Sequence, residues 1–197
     1  LKEKGMTDDA SRPETAVRLF IGLQPDDEVQ AAIRSHQSLW RWPARARLLR
    51  AEHLHMTLHF LNLVHSARVE ELQHVLGTIP MQPTPIVLRT TALWTKVAVL
   101  LAEENVALND LRLRLMVPLL RMGLRVDGRF TPHVTLARRA LGAVPPTGSP
   151  PVHWTVRHFS LVRSTLSPTP PFVQHDVLRR YPGSDDLPRS PIATICD

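Results

Sequence analysis

The sequence predicts an α+β fold with helices on the outside of its sheets. Three observations carry this. Strand-like and helix-like segments alternate through both halves of the 197-residue chain. The segments Ile86 to Trp94 and Val97 to Ala102 are joined by a link short enough for a hairpin, which makes that pairing antiparallel. A helical segment, read as a βαβ-type crossover, precedes each of two segments that share a histidine pattern.

In chain order, Val17 to Leu23 (VRLFIGL) is apolar, β-branched and aromatic, the composition of a buried strand. Pro25-Asp26-Asp27 then starts a helix that runs to about Trp40. Proline suits a first helical turn, and the acids suit the positive end of the dipole. Arg41 to Arg50 reads as loop with a short strand. Leu54 to Leu61 alternates as a strand does. Ser66 is placed to cap a helix through about Leu76, with Glu70 and Glu71 in its early turns. Pro80, Pro83 and Pro85 mark a loop before the hairpin. Asn105 to Met122 has helical spacing at Leu108, Leu111, Leu115 and Leu119. Pro118 should kink or end it, and Gly123 can close it. Thr131 to Arg138 is the next strand, and Gly142 to Pro151 (GAVPPTGSPP) a stiff loop. Val156 to Leu166 and Phe172 to Leu178 read as strands.

The length fits one domain, or one domain made of two similar lobes, spanning 16–181. Residues 1–15 and 183–197 are expected to be flexible tails. The apolar share, 43%, is enough for a core and too high for a disordered chain. No apolar run reaches the roughly 18 residues that span a bilayer. The single cysteine, Cys196, excludes a disulfide framework and a cysteine-based metal site. A reducing cytoplasm is the default compartment. The formal net charge of +6, mostly arginine, is compatible with RNA or nucleotides as ligand without establishing them.

Chemistry is carried by His55-Met56-Thr57-Leu58 and His133-Val134-Thr135-Leu136. His-x-Thr alone is expected about once by chance in such a chain. Adding the leucine lowers the expectation to roughly 0.1, so two copies are a signal. His153-Trp154-Thr155 shows the difference: valine follows, and it reads as structural. Residues two apart on a strand share a face. His55 and Thr57 therefore share one surface while Met56 and Leu58 enter the core. The same holds for His133 and Thr135, with Val134 and Leu136 buried. If the halves pack as similar lobes, the two pairs face each other across a groove. One imidazole can then accept a proton while the other donates one, and the hydroxyls can bond phosphate oxygens.

Simple alternation also puts His53 and His59 on the face of His55. They read as rim residues, with a zinc site of His53, His55 and His59 as the alternative. Arg41, Arg45, Arg47 and Arg50 are either an electrostatic guide for a nucleic-acid backbone or a solvated face. Trp40, Trp42, Trp94 and Trp154 can stack on bases, but each taken singly reads first as packing.

At these motifs the sequence resembles the 2H phosphoesterase superfamily, and within it the bacterial RNA 2′,3′-cyclic phosphodiesterases of the LigT group, long called 2′-5′ RNA ligases. The likeness extends to Arg18-Leu19-Phe20-Ile21-Gly22-Leu23 with Pro25, to His59-Phe60-Leu61, to Phe130-Thr131-Pro132 with Ala137-Arg138, and to Phe159 through Ser164. It covers about Ala16 to Tyr181. The chain departs from the family at Asn62, where glycine is usual, at Leu48 after Arg47, and at Pro168, Pro170, Pro171 and Phe172. The departures bear on base stacking and substrate choice.

The resemblance implies a bilobal fold of mainly antiparallel sheet with a central groove. It implies hydrolysis of 2′,3′-cyclic phosphates, on RNA ends or nucleotides, to 2′-phosphates without metal or other cofactor. His55 and His133 would be the catalytic pair, their acid and base roles not fixed by spacing. Thr57, Thr135 and Arg138 would hold the phosphate. A monomer that does not engage membranes is expected. The alternatives are an RNA-binding module without significant catalysis, and 2′-5′ RNA ligation as a side activity.

Overall fold

The structure is a computed structural model that describes residues 16–169 and 173–182. The expected tails, Cys196 among them, and the expected strand start at Phe172 lie outside the described residues. The elements are β1 (Ala16–Leu23), α1 (Asp27–Ser38), β2 (Arg47–Leu48), β3 (Met56–His65), α2 (Val69–Gly77), β4 (Thr84–Trp94), β5 (Val97–Ala102), α3 (Val106–Arg121), β6 (His133–Arg138), β7 (Val152–Val156), β8 (Phe159–Leu166) and β9 (Val173–Tyr181). Single 3-10 turns, Ala51–His53 and Ser66–Arg68, precede β3 and α2.

The strands form two sheets, ordered β3-β1-β8-β9 and β2-β6-β5-β4-β7. The expected α+β class with antiparallel sheets is what the chain adopts. The crossovers differ from the βαβ reading: β1 and β3 are antiparallel neighbours across α1, and β5 and β6 are antiparallel neighbours across α3. Alternation of strand and helix along a sequence does not fix strand direction. β3 of the first sheet touches β6 of the second, so the two histidine motifs lie where the sheets meet.

One apolar cluster joins both sheets and all three helices. It includes Leu19 and Ile21 of β1, Leu88 of β4, Leu136 of β6, Ile33 of α1, Leu76 of α2 and Leu115 of α3. α1 packs against β7, α2 against β9, and α3 against both β3 and β4. Each helix thus shields apolar surface that its sheets leave open.

Local chemistry explains the helix ends. Asp26, not Pro25, caps α1: its carboxylate accepts from the Val29 N–H at 3.0 Å. Asn105 caps α3 through the Leu108 N–H. Pro118 sits in the last turn of α3 without ending it. The helix closes beyond, where Gly123 adopts φ 71 and the N–H groups of Gly123 and Leu124 reach the carbonyls of Leu120 and Leu119. Ser66 does not cap α2. The His65 ring accepts from the Ala67 N–H and starts the 3-10 turn instead. The expected strand Val156 to Leu166 is two strands, β7 and β8. The decoy His153-Trp154-Thr155 lies in β7, with Trp154 buried.

Candidate active site

His55 lies between the turn Ala51–His53 and β3, and its Nδ1 bonds the His53 carbonyl at 2.8 Å. His133 opens β6, and its Nδ1 bonds the Thr131 carbonyl at 2.7 Å. A carbonyl only accepts, so Nδ1 carries the proton in both rings. Each neutral ring therefore presents a basic Nε2. The two motifs orient their imidazoles by the same bond, to the carbonyl two residues back.

Burial pushes both histidines below the usual imidazole range. The carbonyl bonds oppose this, and the positive charge of Arg138 adds to it. His55 also feels repulsion from His133 and His53.

Each motif is followed by a β-bulge. Gly22 pairs with Thr57 but Ile21 with His59, so Leu58 is an extra residue on β3. Val99 pairs with Thr135 but Ala98 with Ala137, so Leu136 is an extra residue on β6. The extra residue reverses the alternation. Leu58 and His59 are both buried, as are Leu136 and Ala137. Phe60 and Arg138, each five residues past its histidine, return to the open side.

This corrects the reading of His59 as a rim residue. His59 is 2% exposed, and its Nε2 donates to the Arg112 carbonyl at 2.9 Å. The trio His53, His55 and His59 does not converge. Among the described residues no three His, Cys, Asp or Glu side chains form a set of metal ligands.

Two adjoining pockets border Phe60. One, about 340 Å³, is lined by His55 and Arg138 together with Phe20, Asn62, Ser164 and His175. The other, about 240 Å³, is lined by His133 and Thr57 with Trp94, Arg129 and Phe130. Both draw residues from both sheets. Thr135 is half-buried on β6, two residues past His133 and outside the lining of these pockets. Arg47 stands directly across the β2–β6 ladder from Arg138. Arg41, Arg45, Arg47 and Arg50 are all exposed.

Aromatic contacts hold the rings. Phe20 lies 4.9 Å from His55, and His175 meets His55 edge-on at 5.1 Å. Trp94 meets His133 edge-on at 4.6 Å. Trp40 and Trp154 are buried, as the packing reading has it, and Trp42 stacks on Trp40. Trp94, 40% exposed, is the exception. His175 had no motif to mark it. It reaches the pocket from β9, paired across from Ser164. Burial and the neighbouring His55, His53 and Arg138 lower it to about 4.

No family model matches the chain, and no curated protein matches it in sequence. Solved structures do match. The crystal structure of E. coli LigT complexed with 3′-AMP is 24% identical, with TM-score 0.70, covering 84% of this chain and 97% of LigT. The fold is that of LigT. A structure described as a phosphoesterase is 24% identical at TM-score 0.72, over 84% of this chain and 97% of its own. TT0787 of Thermus thermophilus is 27% identical at TM-score 0.68, over 83% and 96%. E. coli LigT has also been crystallised with NADP+, ATP and phosphate.

The backbone accounts for one departure noted in the sequence. Asn62 adopts φ 53, a left-handed conformation at the second irregularity of β3. Glycine takes that conformation freely, and asparagine is among the few other residues that tolerate it.

Proposed function

We propose that the chain is a phosphoesterase that opens 2′,3′-cyclic phosphates on RNA ends or nucleotides, leaving a 2′-phosphate. The observation that carries this is the matched pair of imidazoles. Each donates Nδ1–H to the carbonyl two residues back and is left with a basic Nε2; His55 shares its pocket with Arg138, and His133 shares the adjoining one with Thr57. The LigT-like fold, and the 3′-AMP and phosphate held by E. coli LigT, support it.

The reaction needs one neutral and one protonated ring. The neutral Nε2 takes a proton from water as the water oxygen bonds to phosphorus. The P–O3′ bond breaks, and the protonated Nε2 of the other ring delivers its proton to O3′. His55 is the base in this reading, because burial and the charge of Arg138 in the same pocket hold its ring neutral. His133 is the acid, its extra proton stabilised by the phosphate anion. Arg138 and the hydroxyls of Thr57 and Thr135 bind the phosphate oxygens and offset the charge that builds on them. The groove draws on both sheets, so residues 16–181 are taken as one functional unit.

The test is turnover of nucleoside 2′,3′-cyclic phosphates and cyclic-ended RNA oligomers in EDTA, with the product isomer determined. Wild type should turn over, and His55→Ala and His133→Ala should each lose about 10²–10⁴-fold. Salt-sensitive RNA binding without turnover would replace this reading with a binding module. Near-normal rates in both variants would remove the two rings from the chemistry.

A further inference from the structure

The two histidine motifs belong to different sheets, so something must hold one against the other. A buried pair, His59 and Arg112, links them, and His59 also lines the pocket of His133. His59, two residues beyond Thr57, donates its Nε2–H to the backbone carbonyl of Arg112 in α3. The guanidinium of the same Arg112 bonds the carbonyls of Asp127 and Arg129 through Nη2 and lies over the Phe130 ring, 4.8 Å from its centroid. The next residue is Thr131, whose carbonyl orients His133.

We propose that His59 and Arg112 are positioning residues, which set the loop 127–131 and through it the ring of His133. Three observations favour this over simple packing. Arg112 is 6% exposed although arginine is rarely buried, and it directs its bonds to loop carbonyls rather than to a carboxylate. The Nε of Arg112 and Nδ1 of His59 have no bonding partner, a cost kept inside the core. The loop they hold lies outside regular secondary structure from Gly123, and a ladder bond takes it up only at Pro132, whose carbonyl accepts from the Ala102 N–H at 2.9 Å. The bulge at Leu58 is what turns His59 inward to reach the helix.

For its activity arm the inference rests on the functional reading above. A second, independent arm is the His133 ring itself. In Arg112→Met, imidazole ¹⁵N resonances should show His133 losing its fixed Nδ1–H form while His55 keeps its own. kcat should fall about 10-fold or more, with KM changing little, because the acid is misplaced while the phosphate contacts remain. Arg112→Lys, which can still bond one carbonyl, should recover part of both signals. Arg114→Met on the same helix, where the side chain bonds Asp110 and the Pro80 carbonyl, should leave the His133 ring unchanged. A His133 ring that stays in its Nδ1–H form in Arg112→Met, or an equal disturbance at His55, would overturn the inference. If Arg112→Met does not fold, Arg112→Lys and Phe130→Leu are read by the same criteria. If wild type shows no turnover, the functional reading fails and the ring resonances still decide this one.

Discussion

Phe60 and Arg138 occupy equivalent positions: each stands five residues past its histidine, beyond a bulge, and faces the open side of its strand. One half of the groove thus closes its motif with an aromatic ring, the other with a charge. The motifs are alike in how they aim an imidazole and unlike in what they set beside it.

Arg138 lowers His55 and His133, and in the proposed reaction it also binds phosphate. Arg138→Ala should cut kcat/KM about 10²–10³-fold. It should also move the acid limb of the pH profile upward. Without the guanidinium the base protonates at higher pH, so activity is lost sooner on acidification. Arg138→Lys keeps a charge but not the two-pronged geometry and should fall between. Rate profiles from pH 4 to 9 check both effects.

The assignment of base and acid can be separated with a cyclic phosphate bearing sulfur in place of O3′. A thiolate leaves without a proton. His133→Ala should recover most of its lost rate on this substrate, and His55→Ala should not. The opposite pattern would exchange the roles.

Stability should depend on pH through His175. Its folded value, about 4, lies below the ordinary 6.5. Above pH 6.5 both folded and unfolded chains hold it neutral, and its contribution is complete. Between pH 6.5 and 4 the unfolded chain takes up the proton first, so the native state loses stability as pH falls. His175→Phe keeps a ring and removes this share. Because His175 is half-buried and solvent screens part of the effect, the gain of the variant at pH 4.5, relative to pH 7.5, should be about 2–4 °C. Thermal melts at the two pH values measure it.

The core beneath the motifs is sensitive to volume. Leu136 is fully buried beside the bulge, and Leu136→Ala should cost about 2–5 kcal/mol. A lowered urea midpoint with unchanged slope is the expected readout. Phe60 is 51% exposed, and Phe60→Ala should stay within about 1 kcal/mol of wild type.

Much of this was legible in the sequence because its signals are local. The apolar run of β1, the hairpin β4–β5, the leucine spacing of α3 and the repeated His-x-Thr-Leu all lie within short windows. What escaped is non-local or breaks a period. A bulge adds one residue without a sequence mark, so alternation carried His59 outward when it points inward. The same rule puts Arg138 on the core side. The resemblance, not the period, singled it out. His175 enters the pocket because β9 pairs with β8 and β8 with β1, a pairing that no local pattern announces. Parallel and antiparallel crossovers look the same along the chain, and only the ladder separates them.

The carbonyl-bound, depressed imidazoles have a thermodynamic consequence. At neutral pH the ligand-free groove holds two uncharged rings, one proton short of the form that the proposed reaction uses. An anionic ligand must therefore bring that proton in from solution. Binding of a phosphate monoester should be accompanied by proton uptake at pH 7, read as a dependence of calorimetric heat on the ionisation enthalpy of the buffer. Affinity should weaken as the medium becomes more alkaline, so the occupancy of the groove follows the acidity of its surroundings even where the turnover step does not.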